Sequence, residues 1–173
     1  MPPNITPPRV APPVVSGRKP GGRSSWKTAL VVDPDPEQRK RVIRLLREAA
    51  GESPAAAGTP EQKLAIHEAE NGTAAWALVE VVKPDLVVAE ILLEGLSGLQ
   101  LLRRLRDKFG KQAPVVFFVT EMSNEVDRYW ALRNGAGAYV IKPYEDDFLR
   151  KRSAKLFDEG DEGGLELDSW PLP

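Results

Sequence analysis

The sequence predicts an α/β fold built on a doubly wound, five-stranded parallel sheet. Two observations carry this. Strand-like and helix-like patterns alternate five times between residues 27 and 157, and the run Asp85 to Ile91 is nearly all apolar, as a central strand covered on both faces must be. Length agrees: 173 residues with 42% hydrophobic content suit one globular domain plus flanking sequence. A domain of roughly 120 to 150 residues buries about two-thirds of its unfolded surface and needs no disulfide or structural metal.

The elements follow in order. Thr28 to Val32 is a short buried strand ending at Asp33-Pro34-Asp35-Pro36, where Asp35 can cap a helix that opens on Pro36 and Gln38 can complete a capping box. Val42, Leu45, Leu46 and Ala49 recur there at helical spacing. Residues 51–60 form a long loop insertion rich in Ala, Gly and Pro. Lys63 to Glu70 is the second strand, with His67 an ordinary strand histidine, and Asn71-Gly72-Thr73 starts a helix that Lys83-Pro84 ends. After the third strand, Gly95-Leu96-Ser97-Gly98 leads to a helix with Leu101, Leu102, Leu105 and Phe109 inward and Arg103, Arg104 and Arg106 outward. Pro114 to Val119 is the fourth strand and reaches Thr120. Ser123 is expected to cap the fourth helix, which Gly135 stops. Ala138 to Ile141 is the fifth strand, followed by Lys142-Pro143 and a charged last helix with Phe148, Leu149 and Leu156. Right-handed crossovers would place helices on both faces of the sheet.

The flanks differ in composition from the domain at 27–157. Residues 1–26 are rich in Pro, Gly and Arg, cannot build a core, and read as a disordered arm, with docking to a partner as the alternative. Residues 158–173 carry Asp158, Glu159, Asp161, Glu162, Glu166 and Asp168 with no base, and read as an acidic disordered tail in which Trp170 could anchor a recognition peptide. The formal net charge of −1 hides this asymmetry and says little about partners.

Composition also excludes chemistry. The chain has no cysteine and one histidine, His67, which removes disulfides, thiolate metal sites and cysteine nucleophiles and argues against a zinc site or a serine–histidine triad. No stretch approaches the roughly 20 apolar residues that cross a bilayer, and the N-terminus lacks the apolar core of a signal peptide, so a cytoplasmic protein is expected.

Chemistry in such a sheet sits at the carboxyl ends of the strands, near the point where strand order reverses. Asp33 ends the first strand, Glu90 closes the third, Thr120 ends the fourth and Lys142 follows the fifth. Each alone is ordinary; their order and placement together are not. With Leu30-Val31-Val32-Asp33, Glu70-Asn71-Gly72, Pro84-Asp85-Leu86-Val87, Gly95-Leu96-Ser97-Gly98, Val119-Thr120, Asn134-Gly135-Ala136 and Tyr139-Val140-Ile141-Lys142-Pro143, residues 27–157 resemble the receiver domain of two-component response regulators. The resemblance implies a flavodoxin-like receiver fold of the CheY type. A shorter match, Asp127-Arg128-Tyr129-Trp130 and Arg133-Asn134-Gly135-Ala136, is similar to single-domain receivers of pilus-linked, chemotaxis-like pathways.

The resemblance implies roles. An acidic pair after the first strand holds Mg²⁺, an Asp on the third accepts phosphate, and a hydroxyl and a lysine stabilise the phosphoryl group by position and charge. Asp33 matches the first acid, Thr120 the hydroxyl switch, Lys142 the cation and Tyr139 the aromatic that repositions with it. Three positions depart: Glu90 replaces the phosphoacceptor Asp, Pro34 the second acid, and Glu94 the usual proline of the following loop. Pro34 offers no side-chain donor atom, so Mg²⁺ binding through Asp33 should fall and no cofactor is expected. Glu90 carries its carboxylate about 1.5 Å farther than Asp would, enough to misplace in-line attack. It also extends negative charge toward Thr120 and Lys142, with one charge where a phosphoryl group has about two.

The reading is therefore an atypical receiver, not an enzyme, in which a Glu90–Lys142 ion pair holds one conformation without phosphorylation. The alternative is a phospho-competent single-domain regulator in a phosphorelay. A flavin enzyme of the same strand order is disfavoured because Asp33-Pro34-Asp35-Pro36 would repel a phosphate. The resemblance points to a face of the fourth helix, fifth strand and fifth helix for protein partners, a histidine kinase or a motility or signalling protein, through Arg128, Trp130, Arg133, Tyr144 and Phe148. Tyr129 or Trp130 is expected to be at least half buried. Nucleic acid is disfavoured as a partner.

Overall fold

The computed structural model describes residues 26–53 and 64–159. The arm before Trp26, most of the expected 51–60 insertion and the tail from residue 160 lie outside them. Five strands, β1 (Thr28–Val32), β2 (Ala65–Ala69), β3 (Leu86–Ala89), β4 (Val115–Thr120) and β5 (Ala138–Ile141), form one parallel sheet in the order β2-β1-β3-β4-β5. The helices are α1 (Pro36–Ala49), α2 (Gly72–Val82), α3 (Gly98–Phe109), α4 (Glu125–Arg133) and α5 (Asp146–Glu159), with a 3₁₀ turn at Gly110–Gln112.

The two-residue period of a strand explains why the sheet has two cores. Ala29, Val31, Leu86, Val88 and Phe117 face α1 and α5, where Val42, Leu45, Leu46, Leu149 and Leu156 meet them. Leu30, Val32, Val87, Ala89 and Phe118 face α2, α3 and α4, and pack with Ala75, Val79, Leu101, Leu105 and Ala131. All four residues of β3 and all six of β4 are buried, as covered central strands require. Among the described residues no helix is long and apolar enough to cross a membrane.

Local chemistry differs from the sequence expectation at five points. Asp35 caps α1 by accepting from the Glu37 amide, but Gln38 closes no capping box; its side-chain oxygen is buried without a hydrogen-bond partner. The reciprocal box belongs to α3, between Ser97 and Gln100. Asn124, not Ser123, caps α4, accepting from the Val126 amide at 2.8 Å. Arg106 turns inward from α3, and its guanidinium donates to the Gly135 carbonyl. Trp26, placed in the arm by its Pro/Gly/Arg-rich surroundings, is 7% exposed and stacks tilted on Phe157 at 5.8 Å. Trp26 thus closes the end of the α1–α5 core.

The long connection between α1 and β2 is tied at its base. Glu52, buried, accepts from the Leu64 amide at 2.6 Å and pairs with Arg47 at 2.9 Å, so both ends of the loop share one carboxylate. A similar bond fixes the start of the sheet, where Asp85 accepts from the amides of Lys27 and Thr28.

Candidate functional site

Register sets the site. Val32 pairs with Ala89, Ala89 with Phe118, and Thr120 with Ile141, so the residues leaving β1, β3, β4 and β5 converge at one edge of the sheet. The order β2-β1-β3 places the reversal of strand order between β1 and β3, where Asp33 and Glu90 emerge side by side.

Both carboxylates are nearly closed off, Asp33 at 6% and Glu90 at 5% exposure, and both are hydrogen-bonded as buried charges must be. Lys142 joins them: its ammonium lies 2.7 Å from Asp33 Oδ2 and 3.0 Å from Glu90 Oε2. Asp33 Oδ1 accepts from the Asp35 amide at 2.8 Å. Glu90 Oε1 accepts from the amides of Ile91 at 2.7 Å and Leu92 at 3.1 Å and from the Thr120 hydroxyl, and Oε2 takes a longer bond from the Glu121 amide at 3.4 Å. Burial alone would raise the Glu90 pKa, but the Thr120 hydroxyl, the Leu92 amide and Lys142 outweigh it and hold the carboxyl below its ordinary value. Burial likewise works against the Lys142 ammonium, and its bonds to Asp33 and Glu90 reverse the sign and raise it. Both shifts favour the charged forms, so Glu90 and Lys142 meet as carboxylate and ammonium at neutral pH.

A hydrogen-bond chain runs outward from it. Thr120, fully buried, donates to Glu90 and accepts from the Met122 amide at 3.1 Å; the Tyr139 hydroxyl donates to the Met122 carbonyl at 2.8 Å. The Met122 backbone is therefore held at both its amide and its carbonyl, two residues before the Asn124 cap of α4. Tyr139 is wholly buried against Phe118, ring centroids 6.2 Å apart, and burial, with the nearby charges of Asp127 and Glu90, pushes its phenol up to about 12. Tyr139→Phe should cost about 1 kcal/mol in urea unfolding by freeing the Met122 carbonyl; an unchanged midpoint would mean that this bond adds nothing net.

The five expected partner-face residues fall into two groups. On α4, Val126, Tyr129 and Trp130 are 60%, 52% and 52% exposed, with Arg133 donating to the Tyr129 hydroxyl at 2.9 Å and Arg128 one residue before that tyrosine. Neither Tyr129 nor Trp130 is half buried, against expectation, because α4 turns only Ala131 fully into the core; positions 126, 129 and 133 fall on the opposite side of a 3.6-residue period, and 130 lies about 100° round the helix from Ala131. Tyr144 and Phe148 pack instead against the α1–α5 core, and the Arg41 guanidinium lies 4.1 Å above the Tyr144 ring.

The Mg²⁺ that the resemblance implies does not fit the donor set. Pro34 contributes no oxygen from its side chain, and each carboxylate oxygen of Asp33 and Glu90 already accepts a protein donor. Among the described residues no three His, Cys, Asp or Glu side chains are grouped to hold a metal ion.

Comparison with known proteins identifies the family and the fold. The family described as the response regulator receiver domain matches residues 29–154. The chain belongs to that family. It is 38% identical over 84 residues to Protein PilH of Pseudomonas aeruginosa, which covers 49% of this chain and 69% of PilH. It is 36% identical over 86 residues to the nitrate/nitrite response regulator NarL of Escherichia coli, covering 50% of this chain and 39% of that one. Among solved structures, the chemotaxis response regulator CheY4 of Vibrio cholerae superimposes with a TM-score of 0.58 at 17% identity, over 73% of this chain and 94% of that one. A response regulator from Thermotoga maritima superimposes with a TM-score of 0.60 at 23% identity, over 76% and 98%. This receiver thus has a signalling fold of the CheY type. The amides of Ile91, Leu92 and Met122, which hold its cluster, leave no mark in the sequence because every residue but proline offers one.

Proposed function

We propose that this receiver is a phosphorylation-independent signalling and protein-interaction module in which Glu90 acts as a permanent stand-in for the phosphorylated acceptor. One observation carries the reading: the Glu90 carboxylate is engaged by Thr120 and Lys142, the two side chains that the receiver resemblance assigns to the phosphoryl group. A nucleophile needs an available lone pair and a clear line of approach. Glu90 has neither, since Oε1 takes three donors and Oε2 takes two.

The chain of bonds through Thr120, Met122 and Tyr139 carries the state of Glu90 to the start of α4. The exposed Val126, Tyr129 and Trp130 with the partly buried Arg133 make a surface suited to a protein partner, with aromatic area and a planar cation of the kind that dominate binding energy, and the partly buried Arg128 borders it on the side of Ala131. A histidine kinase or a motility protein of a pilus-linked pathway fits this role, and the activity is binding, not catalysis.

Incubation with acetyl phosphate and MgCl₂ followed by intact-mass measurement tests the proposal. The expected mass is unchanged; addition of one phosphoryl group would establish the phospho-competent alternative. In a pull-down with the intact chain, Glu90→Ala should weaken partner capture by about tenfold, equivalent to about 1.4 kcal/mol. Capture equal to that of the wild type would remove Glu90 from the mechanism.

A further inference from the structure

We propose that the Lys142 ammonium is the resident cation of this site, occupying between Asp33 and Glu90 the place of a divalent metal, so that the switch is set by a covalently attached charge and is indifferent to Mg²⁺. This deepens the fixed-switch reading above and rests on it.

The argument begins with donor geometry. Each carboxylate has one oxygen committed to protein donors, Asp33 Oδ1 to the Asp35 amide and Glu90 Oε1 to Thr120 and two loop amides. The remaining two, Asp33 Oδ2 and Glu90 Oε2, both turn to one nitrogen at 2.7 and 3.0 Å. A divalent ion shared by these carboxylates would use those same two oxygens, because close backbone amides hold Asp33 Oδ1 and Glu90 Oε1, whereas the Glu121 amide reaches Glu90 Oε2 only at 3.4 Å. Mg²⁺ demands near-octahedral oxygens at about 2.0–2.1 Å and gives up its water reluctantly, so it cannot share the space with an ammonium.

Displacing the ammonium is opposed by its mounting. Lys142 is 10% exposed in its side chain, and its own amide donates to the Thr120 carbonyl at 2.8 Å, so the residue is fixed at the end of β5. A metal that entered would leave a positive charge buried beside it, stripped of its partners and repelled by the metal. Glu90 matters for the same reason: its longer side chain reaches the ammonium, and Pro34 supplies no extra anionic ligand to tip the balance toward a metal.

The test uses Mn²⁺ as the probe, followed by the electron paramagnetic resonance signal of the free ion, with thermal midpoints measured in parallel with and without MgCl₂. The wild type should take up no Mn²⁺ saturably and show no Mg²⁺-dependent midpoint. Lys142→Gln removes the charge, keeps an amide donor to hold the fold, and offers a hard oxygen; it should bind one Mn²⁺ per chain and melt at a higher temperature with MgCl₂. Lys142→Arg, which keeps the charge, should behave as the wild type. Saturable Mn²⁺ binding by the wild type that Asp33→Asn abolishes would overturn the proposal. So would a Lys142→Gln protein with native circular dichroism that takes up no Mn²⁺. These outcomes are separate from the phosphoryl-transfer test: metal uptake without phosphoryl mass sinks the resident cation and spares the fixed switch, and phosphoryl mass in acetyl phosphate sinks the fixed switch on which it rests.

Discussion

Replacing Lys142 with Met should lower the unfolding free energy by about 3–5 kcal/mol, the range for removing one partner of a buried ion pair. The thermal midpoint should then fall on the order of 10 °C. The effect is large because the loss is not that of one bond. Asp33 and Glu90, with side chains 8% and 6% exposed, would face each other with no cation between them. Glu90→Gln alone should cost less, since Lys142 keeps Asp33 at 2.7 Å and the amide oxygen can still accept from Thr120. In the double variant Lys142→Met, Glu90→Gln one of the two repelling charges is gone, so the combined loss should be smaller than the sum of the single losses. Additive losses within about 0.5 kcal/mol would mean that the three groups do not act as one cluster.

The same cluster sets a pH signature. Glu90 is held below its reference value of 4.5, so its contribution is present above that value and disappears as pH falls through the lower folded pKa. Lys142 is raised above 10.5, so its contribution is present below that value and disappears as pH rises through the higher folded pKa. Stability from this site should therefore be flat across neutral pH and decline at both ends. Lys142→Met should remove this site's share of the alkaline decline, which guanidinium titrations at a series of pH values would read.

Much of the fold and of this cluster is legible in the amino-acid sequence. Asp33, Thr120 and Lys142 can be placed because a parallel sheet puts strand ends together, and the strands are marked by runs such as Leu86 to Ala89 and Val115 to Val119. Glu90 stands out against that frame by chemistry alone. What the sequence does not reveal depends on rotation and backbone. Whether Tyr129 and Trp130 face the core turns on the roll of α4 about its axis, which a helix holding a single buried residue, Ala131, does not specify through its pattern. Trp26 is hidden by its neighbours, since a Pro/Gly/Arg-rich context says nothing about the one ring that meets Phe157. The grip on the Met122 backbone consists of its amide and its carbonyl, to which residue type is nearly blind.

Gly72→Ala gives the second large effect, and its sign separates two principles. Gly72 opens α2 with no left-handed backbone, so helix propensity favours Ala there by up to about 1 kcal/mol. Packing says the reverse. A Cβ at Gly72 would lie 1.8 Å from the Leu96 carbonyl oxygen and 2.6 Å from its carbon, and these are backbone atoms that cannot rotate away. The β3–α3 loop would have to retreat, breaking the bond from the Gly72 amide to the Glu94 carbonyl at 3.1 Å. Overpacking of this kind costs typically about 1–3 kcal/mol, and a fixed carbonyl puts this case at the upper end. The loss also has a route to the site, because the same loop begins with Ile91 and Leu92, whose amides hold Glu90 Oε1. Gly98 closes the loop from the other side, where a Cβ would meet the Glu90 carbonyl oxygen at 2.6 Å. A Gly72→Ala protein that unfolds at higher urea than the wild type would show that helix propensity wins and that α2 does not clamp this loop. A lower midpoint, with weaker partner capture, would make the glycine of Glu70-Asn71-Gly72 a determinant of where the Glu90 carboxylate sits.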